Sequence, residues 1–162
     1  MKRYCPVCWA DNPGDATRCI RCGAPLDAPA VSYDEALIAA LTHPEPTTPV
    51  RAAWILGQRR VAAAVEPLRG VLRGGTDAYV LQAAAMALQE IGDASATPEL
   101  VATLRSGPLI ARIAAATALG ALGGAEARPA LEQVARDDRN ESVRDAARSA
   151  LAAGHAPTAS PS

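Results

Sequence analysis

Four cysteines near the N-terminus are the residues best suited to chemistry in this chain. They form two C-x-x-C pairs, Cys5 with Cys8 and Cys19 with Cys22, and no other cysteine occurs in the 162 residues. Two such pairs about ten residues apart match the spacing at which four thiolates surround one Zn²⁺ ion tetrahedrally. Because the protein supplies all four ligands, the pattern predicts one structural zinc ion with no position left for a substrate.

The segment that carries these cysteines is too short to form a hydrophobic core. Residues 9–18, between the two pairs, are rich in turn-forming types. Domains of this size are usually unfolded without their metal, so zinc binding and folding are expected to be one event. Trp9 has two interpretations: apolar cover for the zinc site, which we favour, or contact with a binding partner.

Residues 4–26, YCPVCWADNPGDATRCIRCGAPL, resemble the short zinc ribbons at the N-termini of many bacterial proteins. The spacing Cys8-x3-Asn12-x6-Cys19 is also similar to the Ran-binding-protein type of zinc finger. Some members of that family bind single-stranded RNA by stacking bases on an aromatic residue. Arg3 stands where that family has its tryptophan, so in this chain base stacking would fall to Trp9.

Beyond residue 31, apolar residues recur with helical spacing, and whole segments recur with a period just above 30. This pattern predicts eight helices, beginning with a lone helix at residues 32–42 and ending with another at 140–153. Small alanines on facing helices are expected to allow close approach. Two sets of leucines mark the period, at separations of 31 or 32: Leu56, Leu88, Leu119 and Leu151, and Leu37, Leu68, Leu100 and Leu131.

The segments VLQAAAMALQEIGD at 80–93 and VRDAARSAL at 143–151 resemble HEAT-like repeats, in particular the short variety named after phycobilisome lyases. The resemblance implies an all-α fold, an α-solenoid of HEAT-like helical hairpins with about eight helices, which follows the small N-terminal zinc ribbon. The expected domain boundaries are a ribbon at 1–26, a linker at 27–31, repeats at 32–153 and a disordered tail at 154–162.

Three arginines, Arg73, Arg105 and Arg136, recur with spacings of 32 and 31 that follow the repeats. They are expected to line one edge of the solenoid as a basic column able to meet phosphates or acidic side chains. The favoured alternative is that each lies in the last turn of a helix, where a cation stabilises the helix dipole. Trp54, in an alanine-rich segment, is interpreted as a core residue.

The composition limits the functional classes. A net charge of −1, from 16 basic and 17 acidic residues, provides no global attraction to nucleic acid or anionic membrane. The chain has no signal segment and no apolar run long enough to span a bilayer, so a cytoplasmic location is expected. No HExxH motif, glycine-rich phosphate loop or nucleophile elbow is present.

The leading hypothesis is a non-catalytic scaffold or adaptor that binds an unidentified protein partner through the HEAT-like surface. The alternative is nucleic-acid binding through the ribbon, including Trp9, and the arginine column. The resemblance also leaves an enzymatic class open, because some HEAT-like proteins act on bilin chromophores and others on damaged DNA bases. Neither set of functional residues can be assigned to positions of this chain, so the sequence favours a protein that is not an enzyme.

Overall fold

The structure, a computed structural model, describes residues 2–26 and 32–154. The predicted linker at 27–31 and residues 155–162 of the predicted tail lie outside the described residues. No helix in the described ranges is long and apolar enough to cross a membrane. Within those ranges the elements are two strands, β1 (Lys2–Tyr4) and β2 (Asp11–Pro13), two short 3-10 helices (Ala62–Ala64 and Ala94–Ala96), and the α-helices α1 (Tyr33–Ala40), α2 (Thr47–Gln58), α3 (Val65–Gly74), α4 (Ala78–Ile91), α5 (Thr97–Ser106), α6 (Leu109–Leu122), α7 (Ala127–Asp137) and α8 (Glu141–Ala153).

The head, residues 2–26, is a small ribbon. Strand β1 pairs antiparallel with β2, which places Arg3 opposite Asn12. A single bridge between Arg18 and Pro25 closes the second half of the head. Leu26 is buried beside the cysteines. The cysteine cluster is thus the main interior of this module, in agreement with the predicted ribbon.

Side-chain caps explain where several helices begin. Ser32 and Glu35 form a reciprocal capping box at the start of α1, in which the Ser32 amide donates to Glu35 Oε2 at 2.7 Å. Asp77 and Asn140 accept hydrogen bonds from the first-turn amides of α4 and α8. Gly92 ends α4 at φ 84°, a left-handed conformation that suits glycine.

The eight described helices pair as four complete hairpins: α1 with α2, α3 with α4, α5 with α6, and α7 with α8. The prediction of a lone helix at each end of the array is therefore wrong. Both helix types recur with the same period, so the period alone does not show which two helices form one hairpin. The connecting loops show this, because the loops at residues 75–77, 107–108 and 138–140 are short enough to force the helices on either side to pack antiparallel.

The hairpins stack into an α-solenoid through the even-numbered helices, which pack directly against one another in the order α2, α4, α6, α8. Glycines permit the closest approaches. A Cβ added at Gly57 would lie 2.8 Å from Ala87 Cα, and one added at Gly120 would lie 2.7 Å from Ala150 Cβ. The repeating leucines are buried between the layers, apart from Leu151, which is half-buried. Small residues therefore set the spacing of this layer.

A buried carboxylate links α3 to α5. Glu99 is only 9% exposed and accepts two hydrogen bonds of 3.0 Å from Arg69. Arg73 Nη1 adds a third at 3.0 Å. Burial alone would raise the pKa of Glu99, but the bonds from Arg69 and the charges of both arginines hold it below the usual range. The ionised form is thus the one that the fold stabilises.

We expect Glu99→Gln to destabilise the helical array by about 2 kcal/mol at pH 7, since two guanidinium groups lose a charged partner. The folded-state pKa of Glu99 is lowered, so ionised Glu99 stabilises the fold fully above the unfolded-state pKa of about 4.3. This stabilisation is lost as the pH falls through the folded-state pKa. Urea unfolding followed by helical signal at pH 7 and pH 3 measures both effects.

The matched control for this prediction is Glu132→Gln, which removes an exposed carboxylate paired with Arg128 within α7. An exposed pair of this kind contributes little, so the control is expected to unfold like wild type within about 0.5 kcal/mol. Equal stability of the Glu99→Gln and wild-type proteins at pH 7 would contradict the structural role of the buried carboxylate.

Candidate functional site

Each C-x-x-C pair lies in a tight turn whose backbone amides face a sulfur atom. The amide of Val7 donates to Cys5 Sγ at 3.4 Å, and the amide of Arg21 donates to Cys19 Sγ at 3.4 Å. Amide donors directed at sulfur stabilise the thiolate form and support the binding of a metal ion by the thiolates. The two turns are therefore built alike, as two halves of one cation site.

The sulfur positions fit a tetrahedral metal ion. Cys5 Sγ lies 3.6 Å from Cys22 Sγ, Cys8 Sγ lies 3.6 Å from Cys19 Sγ, and all four atoms lie within 4.8 Å of one another. A tetrahedron with metal–sulfur distances of about 2.3 Å has sulfur atoms about 3.8 Å apart. A disulfide requires about 2.05 Å, and the four cysteines are free. The cluster could thus hold one metal ion.

The pKa values of the cluster also favour a bound cation. The amide of Cys22, together with that of Arg21, lowers the pKa of Cys19 to about 6 despite the opposing effect of burial. At Cys22 the amide of Ala24 lowers the pKa, but Cys8, burial and the other cysteines raise it to about 12. Four neighbouring thiols cannot all ionise without a cation, because the thiolates would repel one another. A divalent metal ion supplies the compensating charge.

Asn12 holds the two halves of the head together. Its side chain is 2% exposed; Nδ2 donates to the Ala10 carbonyl at 2.7 Å, and Oδ1 accepts from the Ile20 amide at 2.9 Å. The primary amide can serve both partners at once. The residue singled out by the zinc-finger resemblance therefore fixes the second C-x-x-C turn against β2.

Trp9 lies where the head contacts the helices. It is half-buried, with φ 58°, and its ring meets His43 edge to face at a centroid distance of 4.5 Å. His43 belongs to the loop between α1 and α2, and its Nδ1 accepts from the Glu45 amide at 3.1 Å. The indole Nε1 is buried and has no hydrogen-bond partner within the described ranges. A role of Trp9 in partner binding stays a prediction.

The three arginines of the predicted column lie in the last turns of their helices and differ in their surroundings. Arg73 pairs with Glu66 and Glu99, which neutralise it. Arg105 and Arg136 are exposed at the ends of α5 and α7. A continuous basic stripe is thus interrupted at Arg73, and nothing in the described residues supports the nucleic-acid alternative. Partner binding by the column stays a prediction.

A groove of about 360 Å³ runs between α2 and α4. Three large side chains on it are exposed: Trp54 at 61%, Tyr79 at 67% and Met86 at 49%. The lining also includes four polar side chains, Arg51, Gln58, Gln82 and Glu90. Exposed apolar side chains together with polar ones are typical of a protein-binding surface.

The prediction that Trp54 belongs to the core is wrong. The buried stripe of α2 is formed by Ala52, Ala53, Leu56 and Gly57, which face the neighbouring helices. The helical period places Trp54 beside that stripe rather than in it, and its side chain lines the groove between α2 and α4. Tyr79 and Met86 were not singled out by the sequence, although their separation of seven residues places them on one helix face.

Comparison with known proteins identifies the helical region. The HEAT-repeat family matches residues 35–109 and 76–152. Among solved structures, the complex of CpcE and CpcF of phycocyanin lyase from Nostoc sp. PCC7120 is similar, with a TM-score of 0.64 and 29% sequence identity. The match covers 78% of this chain and 55% of the matched chain, so this protein spans about half the length of the chain it resembles. No curated protein matches significantly.

These findings correct one prediction and confirm others. The expectation that the chain is not an enzyme is wrong, because its structural neighbour belongs to a lyase, an enzyme complex. The predicted all-α solenoid and its resemblance to lyase-type HEAT repeats are confirmed. Since the two family matches together cover most of the sequence, the chain belongs to the HEAT-repeat family.

Proposed function

We propose that this chain binds a partner protein through the groove between α2 and α4 and has a lyase-type role in the resulting assembly. The observation that carries the proposal is the concentration of exposed apolar side chains. The described helices carry five large apolar side chains that are exposed. Three of them line this groove, while the other two, Tyr33 and Leu109, lie elsewhere. Grouped tryptophan, tyrosine and methionine side chains mark binding surfaces.

The occupant that fits this groove is an apolar segment of a protein with polar flanks. The lining offers one indole, one phenol and one thioether, together with the charges of Arg51 and Glu90. The lyase-type role rests on the similarity to a phycocyanin lyase, whose structure is itself a complex of two chains. Phycocyanin is accordingly the first purified candidate to test.

We further propose that the head binds one Zn²⁺ ion structurally, because four thiolates at tetrahedral spacing favour zinc among the common divalent metals. The four cysteines would hold the ion, and the ion would supply the charge that folds the head. The domain boundaries at 1–26, 27–31, 32–153 and 154–162 stay predictions, as does the cytoplasmic location.

The groove is tested by Trp54→Gln and Met86→Gln, singly and together. Each substitution removes an apolar contact without touching the core, so the fold is expected to persist. Affinity for the partner is expected to fall about thirtyfold or more in the double variant, as at interface hot spots. The partner is first captured from native lysate with and without nuclease, then purified and titrated against the variants by calorimetry.

Leu109→Gln is the matched control, since Leu109 is an exposed helical leucine outside the groove. It is expected to bind like wild type. The proposal is contradicted if the double variant binds the purified partner as tightly as wild type, or if the control loses as much affinity. If nuclease treatment of the lysate prevents capture of the partner, the contact runs through nucleic acid instead. Failure of phycocyanin to bind would exclude that candidate without affecting the groove.

A further inference from the structure

A second cavity, of about 380 Å³, lies where the end of α5 meets the start of α6 and the loop between α7 and α8. None of its lining residues lines the apolar groove. Three arginines and two aspartates surround it: Arg105, Arg112, Arg139, Asp137 and Asp138. A polar cavity with this composition differs in kind from the groove and calls for a different ligand.

A buried guanidinium contributes to the wall of this cavity. Arg112 is 5% exposed and forms an ion pair with Asp138. Asp138 also accepts from the Asn140 amide at 2.8 Å, and these contacts hold its pKa below the usual range against the effect of burial. Arg112 Nε is buried and has no partner within the described ranges. Arg112 therefore has one donor more than its surroundings satisfy.

The charge that remains available in the cavity is positive. Asp138 is committed to Arg112, so Asp137 is the one carboxylate left opposite two exposed arginines, Arg105 and Arg139. Neither arginine forms a direct ion pair with a residue in the described part of the chain, although the charge of Arg139 also helps to lower the pKa of Asp138.

We infer that this cavity binds an oxyanion of about phosphate size. Arg105 and Arg139 would make the direct charge-assisted hydrogen bonds. Arg112 would supply positive charge from the wall. The inference is independent of the groove, and it gives Arg105 a function that does not require a continuous basic column.

Titration of the full-length protein with inorganic phosphate, at constant ionic strength maintained with chloride, tests the site by calorimetry. Sodium acetate in a parallel titration distinguishes a carboxylate ligand from a phosphate ligand. Saturable binding of either anion is expected, weakened about tenfold by Arg105→Gln or Arg139→Gln and more in the double variant. Arg136→Gln, an exposed arginine of α7 outside the cavity, is expected to bind like wild type.

Arg105 and Arg139 are exposed and form no ion pair in the described part of the chain, so these variants are expected to fold, and circular dichroism checks that they do. The inference is overturned if neither anion binds saturably, if the double variant binds as tightly as wild type, or if Arg136→Gln weakens binding equally. Each of these outcomes leaves the groove proposal unaffected, because the two sites share no residues.

Discussion

Replacement of Cys19 by serine is expected to abolish metal binding and unfold residues 2–26 while the helices α1–α8 keep their signal. Cys19 is 4% exposed and close to the other three sulfurs, and the head has little other interior. Structural zinc contributes on the order of 10 kcal/mol to the folding of such small modules, more than their remaining contacts can replace. Metal analysis and the dispersion of head resonances by NMR measure the loss.

The matched control is Ile20→Ser, which introduces the same residue one position away. Ile20 is 74% exposed and lies outside the ligand set, so this variant is expected to retain one equivalent of metal and a folded head. A folded head with bound metal in Cys19→Ser would contradict the four-thiolate site. Loss of the whole helical signal would show instead that the array depends on the head.

Gly120→Leu is expected to destabilise the solenoid by about 3 kcal/mol or to separate α6 from α8 locally. A Cβ at this position would lie 2.7 Å from Ala150 Cβ and 2.9 Å from its Cα, closer than unstrained carbon atoms approach. Part of the clash involves backbone, so rotamer changes cannot relieve it, and overpacking costs of this size follow. Chemical denaturation followed by circular dichroism measures the change.

Gly70→Leu is the control for this substitution, since Gly70 lies inside α3 and a Cβ there meets no atom within 4 Å. Leucine has the higher helix propensity, so the control is expected to match wild type or gain up to about 1 kcal/mol. If Gly120→Leu were equally tolerated, the close packing of the even-numbered helices would not be a determinant of the fold.

Much of the fold was predictable because the signals were periodic and local. The leucine spacing predicted the eight helices, and Ser32 and Asn140 marked the helix starts that the structure shows. The period did not predict which helices pair as hairpins, because this pairing depends on which neighbouring helices pack together. That choice follows from loop length, whereas the stacking of one hairpin on the next depends on long-range contacts such as those at Gly57 and Gly120.

The candidate sites were predictable to different degrees. The cysteine cluster followed from spacing alone, because ligand geometry requires nearly fixed separations. The groove did not, because exposure of Trp54 depends on which face of α2 meets α4. Arg112 was also missed, although it stands where Leu81 lies one repeat earlier, and a charged residue at a repeating apolar position was the available signal.

Site-specific photocrosslinking tests the central claim, that the groove between α2 and α4 is the protein-binding surface, most directly. A photoreactive amino acid is placed at Met86, in the groove, or at Gln133, exposed on α7 outside it. Both proteins are illuminated with the purified partner, and the products are mapped by mass spectrometry. We expect a specific crosslink from position 86 and none from 133; crosslinking from 133 alone, or equally from both, would contradict the claim.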